Sequence, residues 1–276
     1  MQPKLIFLDI DGTLTPPGSN TPPDSALAAI WRAQANGHKI YLCTGRNAGM
    51  LSPLLGYGFD GAVTSAGGYV FSGQTVLFDC PMTPEEQKTA LDNLHAQGVY
   101  CTIEARDAAY ADEGLKACIA SVEGQGSEFL RWRAALETDL DIRPMSAYDG
   151  RPIYKIDYMF QHPEQLKPAK EALEKQFHFV DQGLESGRLM NGEMINRRFD
   201  KGQGVRQIAA HLGMGIEHTI GFGDSMNDVE MLETVGTAVC MEKGAPLLRQ
   251  KSDLICPDVL KDGLAWAFQR LGLCDA

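Results

Sequence analysis

Two pairs of acids stand at the ends of apolar runs in this chain. Asp9 and Asp11 follow Leu5, Ile6, Phe7 and Leu8 and lead into Gly12 and Thr13; Asp224 and Asp228 follow Thr219-Ile220-Gly221-Phe222 in the run Gly223-Asp-Ser-Met-Asn-Asp228. Carboxylates from different strand ends offer hard oxygen ligands to a small divalent cation that keeps several waters and also takes a phosphate oxygen, for which Mg²⁺ is the natural candidate. Asp228 would orient that shell from behind. The Asp9 carboxylate can attack phosphorus to give an aspartyl phosphate, and Asp11 can protonate the leaving oxygen and later activate water. Lys201 would neutralise Asp9 and the phosphoryl group, while Thr44 and the backbone NH groups near Asp11 and Gly12 hold the other phosphate oxygens. Taken singly, each residue has a plainer reading: the acids as turn formers, Thr44 as a helix N-cap, Lys201 as a surface charge. It is their order as a set that favours chemistry.

The elements that must position these residues follow from the pattern. The run Leu5 to Leu8 is apolar at every position, which fits a central parallel strand covered on both faces. A helix is expected from Asp24 to Asn36, closed by Gly37, then a strand Ile40, Tyr41, Leu42 that ends at Thr44, Gly45 and Arg46. Around Ala62 to Phe71 the chain reads as a short strand, a Gly-rich turn and a strand that leaves the sheet. After Lys201-Gly202 comes a helix with Val205, Ile208, Ala209 and Leu212 on one face, then the strand into Asp224, two further strands at Thr237 to Cys240 and Leu254 to Cys256, and a last helix from Asp262 to Leu271. Such βα alternation implies a parallel sheet with right-handed crossovers and ligands at the carboxyl ends of the strands. All the polar clusters would then face one crevice.

The texture changes near Cys80-Pro81. Thr83-Pro84-Glu85-Glu86 has the form of a capping box and predicts a helix to about Gln97. Strand-like pieces (Val99 to Ile103, Ile153 to Phe160, Phe177 to Val180) then mix with helical ones (Ser127 to Thr138, Pro163 to Gln176). The expected fold class is therefore α/β, a Rossmann-like parallel-sheet core of residues 1–81 and 183–276 with an inserted α+β domain of residues 82–182. Arg131, Trp132, Arg133, Arg151 and Lys155 of the insert read as surface and core residues.

The 276 residues carry a formal net charge of -11, so the basic footprint of a nucleic-acid binder is missing. Seven cysteines make an odd count without a Cys-x-x-Cys pair, which argues against a disulfide framework and a zinc site. The N-terminal apolar run is too short for a signal segment, and no long apolar run suggests a membrane span. The expectation is a soluble, reduced, cytoplasmic chain that binds a small phosphorylated molecule; oligomeric state is not legible.

As a set, Asp9-Ile-Asp-Gly-Thr13, Thr44-Gly-Arg46, Lys201-Gly202 and Gly223-Asp-Ser-Met-Asn-Asp228 resemble the four motifs of the haloacid dehalogenase-like superfamily. Their order, and an insert between the second and third, resemble its Cof-type phosphatases, in which the insert is an α/β cap. The resemblance implies Asp9 as nucleophile and metal ligand, and Asp11 as acid/base that also gives a backbone carbonyl to Mg²⁺. It further implies Gly12, Thr44, Gly45, Lys201 and Asn227 around the phosphate, and Asp224 and Asp228 at the metal. Two stretches depart from the family pattern, Ala66-Gly67-Gly68 and Glu242-Lys243-Gly244-Ala245; neither is expected to touch the nucleophile or the metal ligands. The activity implied is a Mg²⁺-dependent phosphatase of small metabolites such as sugar phosphates or phosphorylated cofactors. A phosphomutase using the same acids and a non-catalytic phospholigand-binding protein remain as alternatives.

Overall fold

The computed structural model describes residues 2–120, 142–181 and 189–274. The expected helix Ser127 to Thr138, with Arg131, Trp132 and Arg133, lies outside them. The chain divides into two compact units, one of Met1–Arg46, Leu51–Asp79 and Asp200–Ala276, the other of Asn47–Met50 and Cys80–Phe199.

The first unit is built on strands β1 (Leu5–Leu8), β2 (Lys39–Cys43), β3 (Gly61–Thr64), β4 (Tyr69–Ser72), β5 (Thr75–Asp79), β12 (Thr219–Gly223), β13 (Thr237–Met241) and β14 (Leu254–Cys256), in the order β14-β13-β12-β1-β2-β3-β4-β5. From β14 to β3 every pairing is parallel. The central strand explains why an unbroken apolar run was needed. Ile6 and Leu8 pack into one apolar cluster with the helices Asp24–Ala35 and Gly263–Arg270, whereas Leu5 and Phe7 pack into another with the helix Lys201–His211. Each such side chain, fully buried, contributes about 1.5–3 kcal/mol. The strand after the Gly-rich turn does not leave the sheet, contrary to the sequence reading. Ser65, Ala66 and Gly67 take left-handed φ of 49°, 57° and 110°, and this reversal returns the chain so that β4 pairs antiparallel with β3, Val70 opposite Val63. At Gly67 a side chain is also excluded by space, because a Cβ would lie 2.3 Å from the Asp200 carbonyl oxygen.

The second unit holds β6 (Tyr100–Ala105), β7 (Ala109–Ala111), β8 (Ile142–Pro144), β9 (Ile153–Phe160), β10 (Phe177–Asp181) and β11 (Met190–Asn196), in the order β10-β11-β9-β6-β7-β8. The helices Pro84–His95 and Pro163–Leu173 cover one face of this sheet through Ala90, Leu94, Leu166 and Leu173, packed on Cys101, Ile103, Ile156 and Met194. The capping box is formed, with Glu86 N donating to Thr83 Oγ1 and Thr83 N to Glu86 Oε2. The boundary at 183 needs correction. β11 pairs with β10 on one side and β9 on the other, so the return to the first unit comes at Asp200. Among the described residues no helix is long and apolar enough to cross a membrane.

Candidate active site

Three neighbouring strands of the first unit set out the site. β1 lies between β12 and β2, with Leu8 opposite Phe222 and Leu42, so the residues that follow these strands, Asp9, Thr44 and Asp224, emerge side by side at the carboxyl edge. Asp9 continues the ladder for one more bond, its N–H donating to Phe222 O at 3.0 Å. Its side chain is therefore buried rather than free in a loop.

Lys201 meets it from the opposite side. The residue opens the helix Lys201–His211, whose N-cap Asp200 accepts from Gln203 N, and two glycines let that helix approach closely. A Cβ at Gly202 would lie 2.4 Å from Glu230 O, and one at Gly204 2.5 Å from a methyl of Val63. Lys201 Nζ donates to Asp9 Oδ1 at 2.8 Å, Asp228 Oδ1 at 2.6 Å and Asn227 Oδ1 at 3.2 Å. Burial opposes its charge, but the carboxylates of Asp228 and Asp9 outweigh that and hold its pKa well above the usual lysine range. All three ammonium protons are engaged. Lys201 thus orients Asp9 and supplies charge, and a phosphate oxygen would have to displace one of these acceptors, of which Asn227 is the most distant.

The other acids fall into different roles. Asp228 is fully buried; its Oδ2 accepts from the N–H groups of Asp224 and Ser225, so it shapes the turn that carries Asp224 as well as pairing with Lys201. Thr13 Oγ1 donates to Asp224 Oδ1 at 3.0 Å. Gly12 sits beneath the same carboxylate with φ of +89°, and a Cβ there would lie 2.5 Å from Asp224 Oδ2, so both its backbone and its neighbour require glycine. Its own N–H donates to Thr15 O at 2.8 Å.

Asp11 is paired with an arginine. Arg46 Nε donates to Asp11 Oδ2 at 2.8 Å and Nη2 to Oδ1 at 2.7 Å, and Nη1 is held by Asn20 Oδ1. Residue-by-residue reading passed over Arg46, although it stands in the quoted Thr44-Gly-Arg46 motif; the structure buries it, and a buried guanidinium needs an acid. Thr44 does not cap a helix. Its Oγ1 accepts from Arg46 N at 3.1 Å, which leaves the hydroxyl proton available, and Gly45 is buried between them.

The two departures from the family pattern lie nearer the site than the sequence suggested. Ala66 N donates to Thr44 O at 3.0 Å. Ala245 N donates to Asp224 O at 2.7 Å, so the turn containing Lys243 does touch a candidate metal ligand.

The donor set suits a small hard cation. Asp9, Asp224 and Asp228 bring one carboxylate oxygen each within 4.8 Å of the others. Burial, followed by the charge of Asp228, raises the Asp9 pKa to about 7 despite the opposing pull of Lys201. Burial, then Asp9 and Asp228, hold Asp224 well above the usual range as well. One ammonium does not balance three crowded carboxylates, and a divalent ion would.

Comparison with known proteins agrees with this geometry. A family model described as haloacid dehalogenase-like hydrolase matches residues 6–268. The chain is 27% identical over 278 residues to the Bacillus subtilis protein YkrA, covering 99% of each chain. It is 25% identical over 292 residues to the 5-amino-6-(5-phospho-D-ribitylamino)uracil phosphatase YwtE of Bacillus subtilis, covering 97% of this chain and 98% of that one. A solved structure described as the HAD subclass IIB sugar phosphatase BT4131 matches with a TM-score of 0.79 at 22% identity, over 98% of this chain and 99% of that one, a likeness of fold.

Proposed function

The chain belongs to the haloacid dehalogenase-like hydrolase family, and on that premise we propose that it is a Mg²⁺-dependent phosphatase of small phosphorylated metabolites, sugar phosphates or phosphorylated cofactors. The observation that carries this reading is Asp9: a buried carboxylate at a strand end, gripped by Lys201 at 2.8 Å, with a second acid two residues on. A relative aligned along its whole length acts, by its name, on a phosphorylated ribityl compound, which supports small organic phosphates as the substrate class.

In the proposed cycle an oxygen of Asp9 bonds to phosphorus as the ester oxygen leaves with a proton from Asp11. Water then gives a proton to Asp11 and attacks the phosphorus of the aspartyl phosphate, which restores the Asp9 carboxylate and releases inorganic phosphate. Lys201 holds the attacking side chain in place, and the Thr44 hydroxyl proton, the Gly45 N–H and the Asn227 amide are the donors assigned to the phosphoryl oxygens. Asp9, Asp224 and the Asp11 backbone carbonyl, with Asp228 behind them, would hold the Mg²⁺, whose charge offsets that of the carboxylates and the phosphate.

The test is a panel of phosphorylated metabolites incubated with Mg²⁺ or with excess chelator. Release of inorganic phosphate from at least one member, only with metal, is expected. Interconversion of sugar phosphate isomers without net release would instead mark a phosphomutase, and tight binding with no turnover a binding protein.

A further inference from the structure

A second grouping of metal-binding side chains lies within the unit that holds β6 and β7. His95, Cys101 and Asp112 each bring one donor atom within 4.8 Å of the other two, which among the described residues only Asp9, Asp224 and Asp228 also do. Three elements hold them. His95 closes the helix Pro84–His95, after which the chain turns, Gly98 N donating to His95 O at 2.9 Å. Cys101 lies in β6, fully buried in the apolar cluster that includes Ala90 and Leu94 of that helix. Asp112 follows β7 and extends its pairing with β6, Asp112 N donating to Cys101 O at 2.9 Å. Its carboxylate is fixed in turn: Oδ2 accepts from Cys101 N at 2.7 Å and lies 2.9 Å from His95 Nε2. The sulfur is held far less firmly, its polar neighbour among the described residues being Val99 O at 3.9 Å. An ion pair of His95 with Asp112 at a helix end accounts for two of the three side chains and leaves the thiol unexplained.

An imidazole, a thiol and a carboxylate make a borderline-soft donor set, which suits Zn²⁺ better than the hard Mg²⁺ of an all-carboxylate site. Ligand atoms on a tetrahedral zinc ion stand about 3.3–3.6 Å apart, so separations within 4.8 Å close by about 1 Å at most, a small rotation of an imidazole side chain that is 42% exposed. That exposure, with 17% at Asp112, leaves an ion a path from solvent. Charge agrees, because one thiolate and one carboxylate balance a divalent ion while the imidazole stays neutral. Burial, with Asp112 and Asp157 adding to it, holds the Cys101 pKa well above the usual thiol range, and a coordinated ion drives the proton off the sulfur. The spacing of residues 95, 101 and 112 fits no familiar zinc motif, which is why the sequence pointed away from zinc; the three meet only through strand pairing and the turn after the helix.

We propose that His95, Cys101 and Asp112 form a Zn²⁺ site with three protein ligands and a fourth position open to water, tying the end of the helix Pro84–His95 to the β6–β7 pair. On binding, the thiol proton leaves to solvent and the imidazole proton resides on the ring nitrogen that does not bind.

The test is titration of the intact protein with Co²⁺, the spectroscopic stand-in for Zn²⁺, in excess Mg²⁺ to compete at the carboxylate site. It needs no turnover, so it stands or falls separately from the phosphatase reading. A thiolate-to-cobalt charge-transfer band in the near ultraviolet, reversed by Zn²⁺, is expected, and Cys101→Ser should abolish it. His95→Gln keeps a donor to Asp112 but no ring nitrogen, on a side chain exposed enough to change without unfolding. Its Zn²⁺ affinity, measured by competition with a chelating dye, should fall about 100-fold or more, since loss of a partner behind a ligand already costs about 10- to 100-fold. Zn²⁺ should raise the Tm of the wild type and not that of His95→Gln. No band in the wild type, a band that survives Cys101→Ser, or wild-type Zn²⁺ affinity in His95→Gln would refute the site.

Discussion

Arg46 grips both carboxylate oxygens of Asp11, at 2.8 and 2.7 Å, from a side chain that is itself buried. A bidentate pair of this kind fixes orientation as well as charge, and lysine cannot reproduce the fork. Arg46→Lys should therefore leave the nucleophile intact and misplace the proton carrier. With an activated aryl phosphate, the initial burst of phenolate should keep its rate while steady-state turnover falls about 10- to 100-fold. Equal loss in burst and steady state would show that Arg46 supports the site only as a whole.

Thr13 and Gly12 bear on Asp224 in different ways. Thr13→Val keeps the shape and removes the hydroxyl that donates to Asp224 Oδ1, so Mg²⁺ affinity measured by titration calorimetry should fall about 10-fold with little change in Tm. Gly12→Ala forces a side chain into a left-handed backbone and against Asp224 Oδ2, and should lower both Tm and metal affinity, with a stability cost of about 1–3 kcal/mol. Wild-type metal affinity in both variants would remove Asp224 from the metal site.

How much of this was legible in the sequence depends on how local each cause is. β1 was readable because all four of its side chains are apolar, and the capping box because its partners Thr83 and Glu86 are three residues apart. β11 was not, since its inner face carries Asn191 and Glu193, polar residues buried against the usual pattern. The return of β4 was hidden because two non-glycine residues, Ser65 and Ala66, take left-handed backbone there. The clamp on Asp11 joins residues 35 apart in sequence, and nothing in the spacing of Arg46 announces its partner.

The crowded carboxylates also make a pH prediction. Asp9 is raised from 3.8 to about 7, by burial first and Asp228 second. A carboxyl whose folded pKa lies above its unfolded value adds stability below the unfolded pKa, and that contribution is lost as pH rises through the folded one. For Asp9 the loss runs from 3.8 to about 7, and Asp224, raised in the same direction, extends it. Mg²⁺ relieves the ionised form, so the rise in Tm on adding it should be larger at about pH 8 than at about pH 5, where protons compete. Melts with Mg²⁺ and with chelator at both pH values measure this. A shift of the same size at both would mean that these carboxylates are not where the metal acts.

The two acids at the end of β1 can be separated by what each variant retains. Asp9→Asn removes the attacking charge, so no covalent intermediate can form, and turnover should vanish even for an aryl phosphate. Asp11→Asn keeps the nucleophile but loses proton transfer, at a cost of about 10² to 10⁴ in rate. An aryl leaving group needs no proton in the first step, so this variant should still become phosphorylated on Asp9 and then release phosphate slowly, because no base activates water. Intact-protein mass after mixing with an aryl phosphate and Mg²⁺ should show a phosphate-sized adduct on Asp11→Asn and none on Asp9→Asn. Adduct on both would mean that another group attacks phosphorus, and none on either, with an active wild type, would mean that water attacks directly while both acids serve only the metal and the proton.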